Sequence, residues 1–175
     1  FYTSANNVSI INDLIKLSSP NSNEKMIFIW PEGIFTDISQ KELKEFRSLF
    51  DQSFNKNHLI VIGMNKKAYD NGSINFFNSL SVFDSELNIL GSYNKINLVP
   101  FGEFLPFESF LNKFGLKKIT QGYGSFSSDS ERKILNINNI NFVPLICYEI
   151  IYSAKIKNKK QLPDLLVNIS EDAWF

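Results

Sequence analysis

The sequence has 175 residues, of which 43% are hydrophobic, and its 18 basic and 18 acidic side chains give a formal net charge of zero. This content is enough for the core of one domain, and the balanced charge argues against nucleic acid as a partner, because proteins that bind phosphate backbones carry a basic excess or a basic stripe. A single cysteine excludes an internal disulfide, and one histidine with one cysteine leaves no zinc site of the usual ligand types, so we expect no metal site and no cofactor.

The first part of the chain alternates helical and strand patterns. Apolar residues at helical spacing from Val8 to Leu17 predict a short amphipathic helix. The continuous apolar run Met26 to Trp30 predicts a strand covered on both faces, and the following Pro31-Glu32-Gly33 places Glu32 at its carboxyl end. From Ser39 to Phe54, apolar residues recur every three or four positions between charged ones, which predicts a surface helix with one buried stripe.

The middle of the chain predicts strands that lead to a lysine and then to a run of aromatic residues. Leu59 to Met64 is a second buried strand, and Ile74 to Phe83 and Ile89 to Tyr93 are predicted to pair with each other. Lys95 comes just after the second of these paired strands. The region Val99 to Phe114 that follows is dense in phenylalanine, at Phe101, Phe104, Phe107, Phe110 and Phe114.

The last part of the chain places the single cysteine at the end of an apolar strand. Asn138-Asn139 predicts the turn of a hairpin that joins Lys133–Ile137 to the apolar run ending at Cys147. Ile150 to Lys157 predicts a short helix, and Asp164 to Ile169 another buried strand. Strands alternating with helices, together with hairpins, predict an α/β layered domain.

Three ionisable residues that follow apolar segments, Glu32, Lys95 and Cys147, are candidates for one site at the edge of a sheet. A nearby ammonium group shifts a thiol toward the nucleophilic thiolate, and a carboxylate whose pKa is raised by burial can take the thiol proton and pass it to a leaving group. Lys95 and the backbone N–H of Tyr148 can bind the oxyanion of a tetrahedral intermediate. Together these groups would carry out acyl transfer through a thioester.

Each of these residues also has a structural interpretation. A lone cysteine at the end of a buried strand is, by itself, more often a core residue than a nucleophile. Glu32 alone can be a turn carboxylate, and Lys95 alone a surface lysine. His58 stands at the start of a strand, at the wrong end for this site, so we interpret it as structural or solvated and do not expect a Cys-His mechanism.

Three short blocks carry a resemblance to a known family. Trp30-Pro31-Glu32, Asn94-Lys95 and Cys147-Tyr148-Glu149 resemble the blocks of the nitrilase, or carbon–nitrogen hydrolase, superfamily with its Glu-Lys-Cys triad. The longer stretches Tyr93 to Phe107 and Asn168 to Phe175 resemble the apolipoprotein N-acyltransferase branch of that superfamily. The resemblance covers nearly the whole chain, and the block around the lysine is its most specific part.

The resemblance implies a fold, a location and a reaction. The fold is a nitrilase-like α/β/β/α sandwich, and we interpret residues 1–175 as a partial catalytic domain truncated at both ends. This domain would face the periplasm, attached to the bacterial inner membrane by helices outside this chain. The implied reaction is ping-pong: a glycerophospholipid donates an acyl chain to the cysteine as a thioester, and the acceptor is the α-amino group of a diacylglyceryl-cysteine at the N-terminus of a lipoprotein.

The resemblance also implies a role for individual residues. Glu32 matches the general base, Lys95 the oxyanion-stabilising lysine and Cys147 the nucleophile. Supporting roles, which include orienting Lys95 and shaping the pocket, fall to Glu103, Tyr148 and Glu149. The sequence differs from the family pattern in the stretch Asn168 to Phe175, where family members commonly have Asn at the position of Glu171.

The aromatic stretch suggests where an acyl chain is bound. We hypothesise that part of Val99 to Phe114 is an exposed flap that meets acyl chains or the bilayer surface. Phe104 and Phe107 in this stretch, and Trp174 near the last residue, are the candidates for contact with substrate. Ordinary core packing is the alternative for all three rings.

Two other classes of function stay open. A soluble amidase or nitrilase would use the same three residues with water as the acceptor and would hydrolyse a small carbon–nitrogen substrate. A non-enzymatic member of the family would keep the fold for assembly, although all three residue types of the triad are present.

Overall fold

Two sheets and a flanking helical layer make up the part of the protein that the computed structural model describes, residues 4–70, 72–106, 125–155 and 163–171. The elements in chain order are helix α1 (Ser4–Ser18), strand β1 (Met26–Ser39), a 3-10 helix (Glu42–Phe46), helix α2 (Arg47–Phe50), strands β2 (His58–Asp70), β3 (Ser73–Phe83), β4 (Ile89–Asn94), β5 (Leu135–Ile137) and β6 (Ile140–Ile146), a second 3-10 segment (Cys147–Lys155) and strand β7 (Leu165–Ile169). Among the described helices, none is long and apolar enough to cross a membrane.

The two sheets pack face to face. The first has the order β1-β2-β3-β4, in which β1 and β2 are parallel and the other neighbours antiparallel. The second has the order β5-β6-β7, in which β6 and β7 are parallel. The core between the sheets includes Val61, Leu80, Val82, Phe142, Ile146, Val167 and Ile169. On its other face the first sheet packs against α1 and α2, so the described residues form three of the four predicted layers and confirm the α/β fold class.

Strand β2 shows why the buried strands are continuous apolar runs. Leu59 and Val61 point into the core between the sheets, whereas Ile60 and Ile62 point into the core beneath the helices. Successive side chains of a strand alternate between its faces, and here both faces are covered. The prediction of a buried strand over Leu59–Met64 is therefore correct.

Strand β1 is longer than predicted, and this changes the position of Glu32. The strand does not end at Trp30 but continues to Ser39, with an irregular register between Trp30 and Phe35. Proline lacks an N–H for the ladder, and Gly33 has φ of 71°, so the predicted turn at residues 31–33 is an irregularity within the strand. Glu32 lies in this irregular part rather than at the carboxyl end.

The predicted surface helix over residues 39–54 is also shorter in the structure. Ser39 still belongs to β1, and its backbone N–H donates a hydrogen bond to Glu42 Oε2 at 2.6 Å. The chain then forms the short 3-10 helix and the single α-helical turn of α2. The buried stripe was predicted correctly, since Leu43 and Phe50 are completely inaccessible to solvent.

Hairpins join the three antiparallel pairs of strands in the described part of the chain. Asn138 and Asn139, with φ of 52° and 64°, form the predicted tight turn between β5 and β6. The predicted pairing of β3 with β4 is confirmed. A third hairpin, in which β2 and β3 pair from Ile60 and Phe83 to Asp70 and Ser73, was not predicted.

Candidate active site

A cavity of about 610 Å³ opens where the irregular part of β1 meets the ends of β4, β6 and β7. Its walls include Glu32, Lys95 and Cys147, which are far apart in the sequence, together with Glu103 and Tyr148. The structure thus brings the three candidate catalytic residues and two of the three supporting candidates to one place.

Lys95 is a buried cation at this cavity. Its side chain is 1% exposed, and Nζ donates to Glu103 Oε1 at 3.1 Å and to Glu32 Oε1 at 3.3 Å. Burial lowers the pKa of Lys95, but the charges of Glu32 and Glu103 and the hydrogen bond to Glu103 outweigh burial and raise the pKa above its usual value. Lys95 therefore carries its positive charge at neutral pH.

Asn78 on β3 belongs to this cluster, although it was not predicted as a site residue from the sequence. Its Nδ2 donates to Glu32 Oε1 and to Glu103 Oε1, both at 2.6 Å. The backbone N–H of Lys95 donates to the Asn78 carbonyl at 2.8 Å. The register of the β3–β4 hairpin would have predicted this position, because it pairs Ser79 with Asn94 and so brings Asn78 opposite Lys95.

The irregular part of β1 depends on two glycines. A Cβ at Gly63 would lie 2.6 Å from Glu32 Cα and 2.6 Å from Ile169 Cδ1, so no larger residue fits between β1 and β7 there. A Cβ at Gly33 would lie 2.5 Å from Glu171 Oε2. The Glu171 backbone N–H also donates to Glu32 Oε2 at 3.3 Å. Both oxygens of the Glu32 carboxylate are therefore held by hydrogen bonds.

Cys147 lies at the junction between β6 and the second 3-10 segment. It has φ of 54°, a left-handed conformation that residues other than glycine rarely adopt. Its side chain is half-buried and forms part of the cavity wall. The helical segment begins at Cys147 rather than at the predicted Ile150, which places the Tyr148 N–H in the first turn, where backbone N–H groups have no carbonyl of the same helix to bind.

Glu149 is fully buried and does not line the cavity. Its carboxylate accepts hydrogen bonds from Tyr93 Oη at 2.8 Å, from the Ile96 N–H at 2.9 Å and from the Ile146 N–H at 3.0 Å. These donors flank Lys95 on one side and Cys147 on the other. The structure places this predicted supporting carboxylate between the two segments that carry the candidate residues.

The structure does not place the three residues predicted to contact substrate, Phe104, Phe107 and Trp174, at the cavity wall among the described residues. Phe104 is half-buried and is not among the described residues that line the cavity. Phe107 and Trp174 lie outside the described residues, so their contact with substrate stays a prediction. His58 lies in a core formed with Phe28 and Phe54.

Exposed apolar side chains line the cavity close to Cys147, and among them Ile150 and Ile151 were not predicted as site residues from the sequence. Tyr148 is 47% exposed and Ile151 64% exposed, and Ile150 lies beside them. Val99, four residues after Lys95, contributes a further apolar wall. The cavity therefore combines a charged group of residues around Lys95 with an apolar, solvent-accessible lining.

Comparison with known proteins shows relatives over most of the chain. The carbon-nitrogen hydrolase family model matches residues 21–175. An apolipoprotein N-acyltransferase from Sinorhizobium fredii is 36% identical over 154 residues, which cover 85% of this chain and 29% of the relative. Another from Bradyrhizobium diazoefficiens is 30% identical over 166 residues, which cover 91% of this chain and 31% of the relative. The chain thus spans less than a third of the length of these relatives.

Solved structures share the fold at low sequence identity. A glutamine-dependent NAD+ synthetase from Acinetobacter baumannii matches with a TM-score of 0.58 and 19% identity, over 94% of this chain and 30% of that one. A mutant of an amidase of the nitrilase superfamily from Nesterenkonia matches with a TM-score of 0.57 and 12% identity, over 96% of this chain and 60% of that one. These matches concern the fold alone, and they confirm the nitrilase-like α/β sandwich.

We predict that Asn78→Leu lowers the free energy of unfolding by about 2 kcal/mol, because two buried carboxylates lose a hydrogen-bond donor. Chemical denaturation monitored by circular dichroism measures the change. Asn136→Leu is the matched control, since Asn136 is exposed and donates to Asn141 Oδ1 at the surface. Equal stability of the two variants would contradict the prediction.

Proposed function

Because the chain belongs to the carbon-nitrogen hydrolase family, we propose that it forms part of the catalytic domain of an apolipoprotein N-acyltransferase. The proposed enzyme moves a fatty acyl chain from a glycerophospholipid to the N-terminal amine of diacylglyceryl-cysteine in a lipoprotein. The names of the relatives support this assignment. The observation that carries it is the cavity in which Cys147, Lys95 and Glu32 meet an apolar, exposed lining.

In the first half-reaction, Cys147 attacks the ester carbonyl of the phospholipid. Glu32 takes the thiol proton as the C–S bond forms, and the Lys95 ammonium and the Tyr148 N–H stabilise the resulting oxyanion. When the intermediate collapses, the ester C–O bond breaks and Glu32 returns the proton to the leaving alcohol of the lysophospholipid. The acyl chain remains on Cys147 as a thioester.

In the second half-reaction, the α-amino group of diacylglyceryl-cysteine attacks the thioester carbonyl. Glu32 takes a proton from the amine, and the same donors bind the oxyanion. The C–S bond then breaks, an amide is formed, and the Cys147 sulfur takes the proton back. Glu103 accepts a hydrogen bond from the Lys95 ammonium, and Asn78 donates to the carboxylates of Glu32 and Glu103, so these contacts hold the ammonium and the Glu32 carboxylate in place through both steps.

The lining of the cavity suits a lipid better than a small amide. Burial of apolar surface contributes about 0.8 kcal/mol for each methylene group, so a fatty acyl chain gains from contact with Tyr148, Ile150 and Ile151. A small carbon–nitrogen substrate of a soluble amidase has no long apolar chain to bury against such a lining. We therefore favour the acyltransferase, and the mass-spectrometry experiment with phospholipid distinguishes it from the amidase.

The proposed substrates indicate where in the cell the enzyme acts. Both the phospholipid donor and the diacylglyceryl acceptor are held in a bilayer, so the cavity must work at a membrane surface. We infer the bacterial inner membrane, with the catalytic domain facing the periplasm and attachment through parts of the protein outside this chain.

We predict that the complete gene product, incubated with phospholipid, gains the mass of one fatty acyl chain and loses it on treatment with hydroxylamine. Intact-mass spectrometry measures the adduct, and Cys147→Ala should show none because the thioester sulfur is missing. Turnover of small amides without any acyl adduct would contradict acyl transfer and support the amidase.

We predict that Ile151→Asp raises the KM for phospholipid in vesicles about tenfold, because a carboxylate opposes burial of an acyl chain at the cavity wall. Leu17→Asp is the matched control, since Leu17 is 81% exposed on α1 and does not line the cavity. The same KM in both variants would rule out Ile151 as part of the acyl site.

A further inference from the structure

Arg132 lies in the chain just before β5 and points into the protein. Its side chain is 11% exposed, and Nη1 donates to the Pro144 carbonyl on β6 at 3.0 Å. Nη2 is 3.6 Å from Glu149 Oε1, and the guanidinium carbon lies 5.6 Å from the centroid of the Tyr93 ring. Arg132 does not line the cavity, so it has no contact with a substrate bound there.

These contacts place Arg132 against the group that joins the two halves of the candidate site. Glu149 accepts hydrogen bonds from Ile96 and Asn97, which follow Lys95, and from Ile146, which precedes Cys147. The Lys95 turn, residues 95–97, follows β4 of the first sheet, and the Cys147 turn, residues 147–149, follows β6 of the second. The Glu149 carboxylate is therefore a direct link between the two sheets at the cavity.

A carboxylate charge with no access to solvent is costly unless a cation or hydrogen-bond donors lie beside it. Among the described residues, Arg132 is the cation that forms an ion pair with Glu149. Burial raises the pKa of Tyr93, and the Glu149 charge raises it further, so the phenol stays protonated and donates to Glu149. The guanidinium plane over the Tyr93 ring adds a cation–π contact that fixes this donor.

We propose that Arg132 is a positioning residue for acyl transfer, which neutralises Glu149 and fixes β6 so that the Lys95 turn stays against the Cys147 turn. The inference rests on the proposed roles of Lys95 and Cys147. A merely structural arginine would affect stability alone, whereas this one also controls how closely the Lys95 ammonium approaches the Cys147 sulfur.

The test compares Arg132→Met, which removes the charge and the hydrogen bonds, with Arg132→Lys, which keeps the charge but loses the fork of donors. The control is Arg47→Met, since Arg47 is 41% exposed and pairs with Asp51 and Glu86. All variants are made in the complete gene product. The rate of Cys147 alkylation by iodoacetamide is followed by mass spectrometry of the peptide that contains it, and kcat and KM are measured for acyl transfer.

We expect Arg132→Met to lower both the alkylation rate and kcat by about 10- to 100-fold, because small displacements of reacting groups have effects of this size. KM should stay within about twofold, since the apolar cavity walls are unchanged. Arg132→Lys should be intermediate, and Arg47→Met should behave as the parent protein. If Arg132→Met does not fold, the proposal is tested with Arg132→Lys, whose alkylation rate is expected to be lower than that of the parent protein.

Parental alkylation and kcat in folded Arg132→Met, with only a lower melting temperature, would overturn the proposal. A change confined to KM would also overturn it. If the parent protein transfers no acyl chain while its alkylation rate still depends on Arg132, the proposed function fails and the positioning role stands, because alkylation needs no acyl donor.

Discussion

The ammonium group of Lys95 is closed off from solvent, so its charge must be balanced inside the protein. The balance comes from Glu32 on β1 and from Glu103 in the segment after β4, with Asn78 of β3 bonding to both carboxylates. Three separate parts of the chain must therefore meet within hydrogen-bond distance of one another. This requirement accounts for the irregular register of β1, which turns the Glu32 side chain toward the cluster.

The Cys147 side of the candidate site is set by the backbone rather than by charge. Cys147 has a left-handed conformation between β6 and the following 3-10 segment, and such a conformation persists only where the surrounding structure holds it. Glu149 provides this support by accepting the Ile146 N–H, and its further bonds reach the segment after Lys95. The two sides are thus joined behind the cavity by buried polar groups, and the apolar lining of the cavity is left open to solvent.

The sequence predicts much of this arrangement because the relevant patterns are local. The buried strand Leu59–Met64 and the Asn138-Asn139 turn depend on neighbouring residues, and both predictions were correct. Asn78 and Arg132 were not predicted as site residues because their partners, Glu32 and Glu149, are distant in the chain. The extent of β1 was underestimated because Pro31 and Gly33 are typical of turns, whereas in the structure the strand resumes beyond them to bury Phe35.

The central claim is that the buried Lys95 ammonium and Cys147 act in one site, and the rate of Cys147 alkylation at pH 7 tests it most directly. The experiment compares the complete gene product with Lys95→Met and, as a control, with Lys25→Met, which alters an exposed lysine. Because a nearby cation stabilises the reactive thiolate, the account predicts a fall of about tenfold or more in folded Lys95→Met and none in Lys25→Met. Equal alkylation rates in Lys95→Met and the parent protein would contradict it.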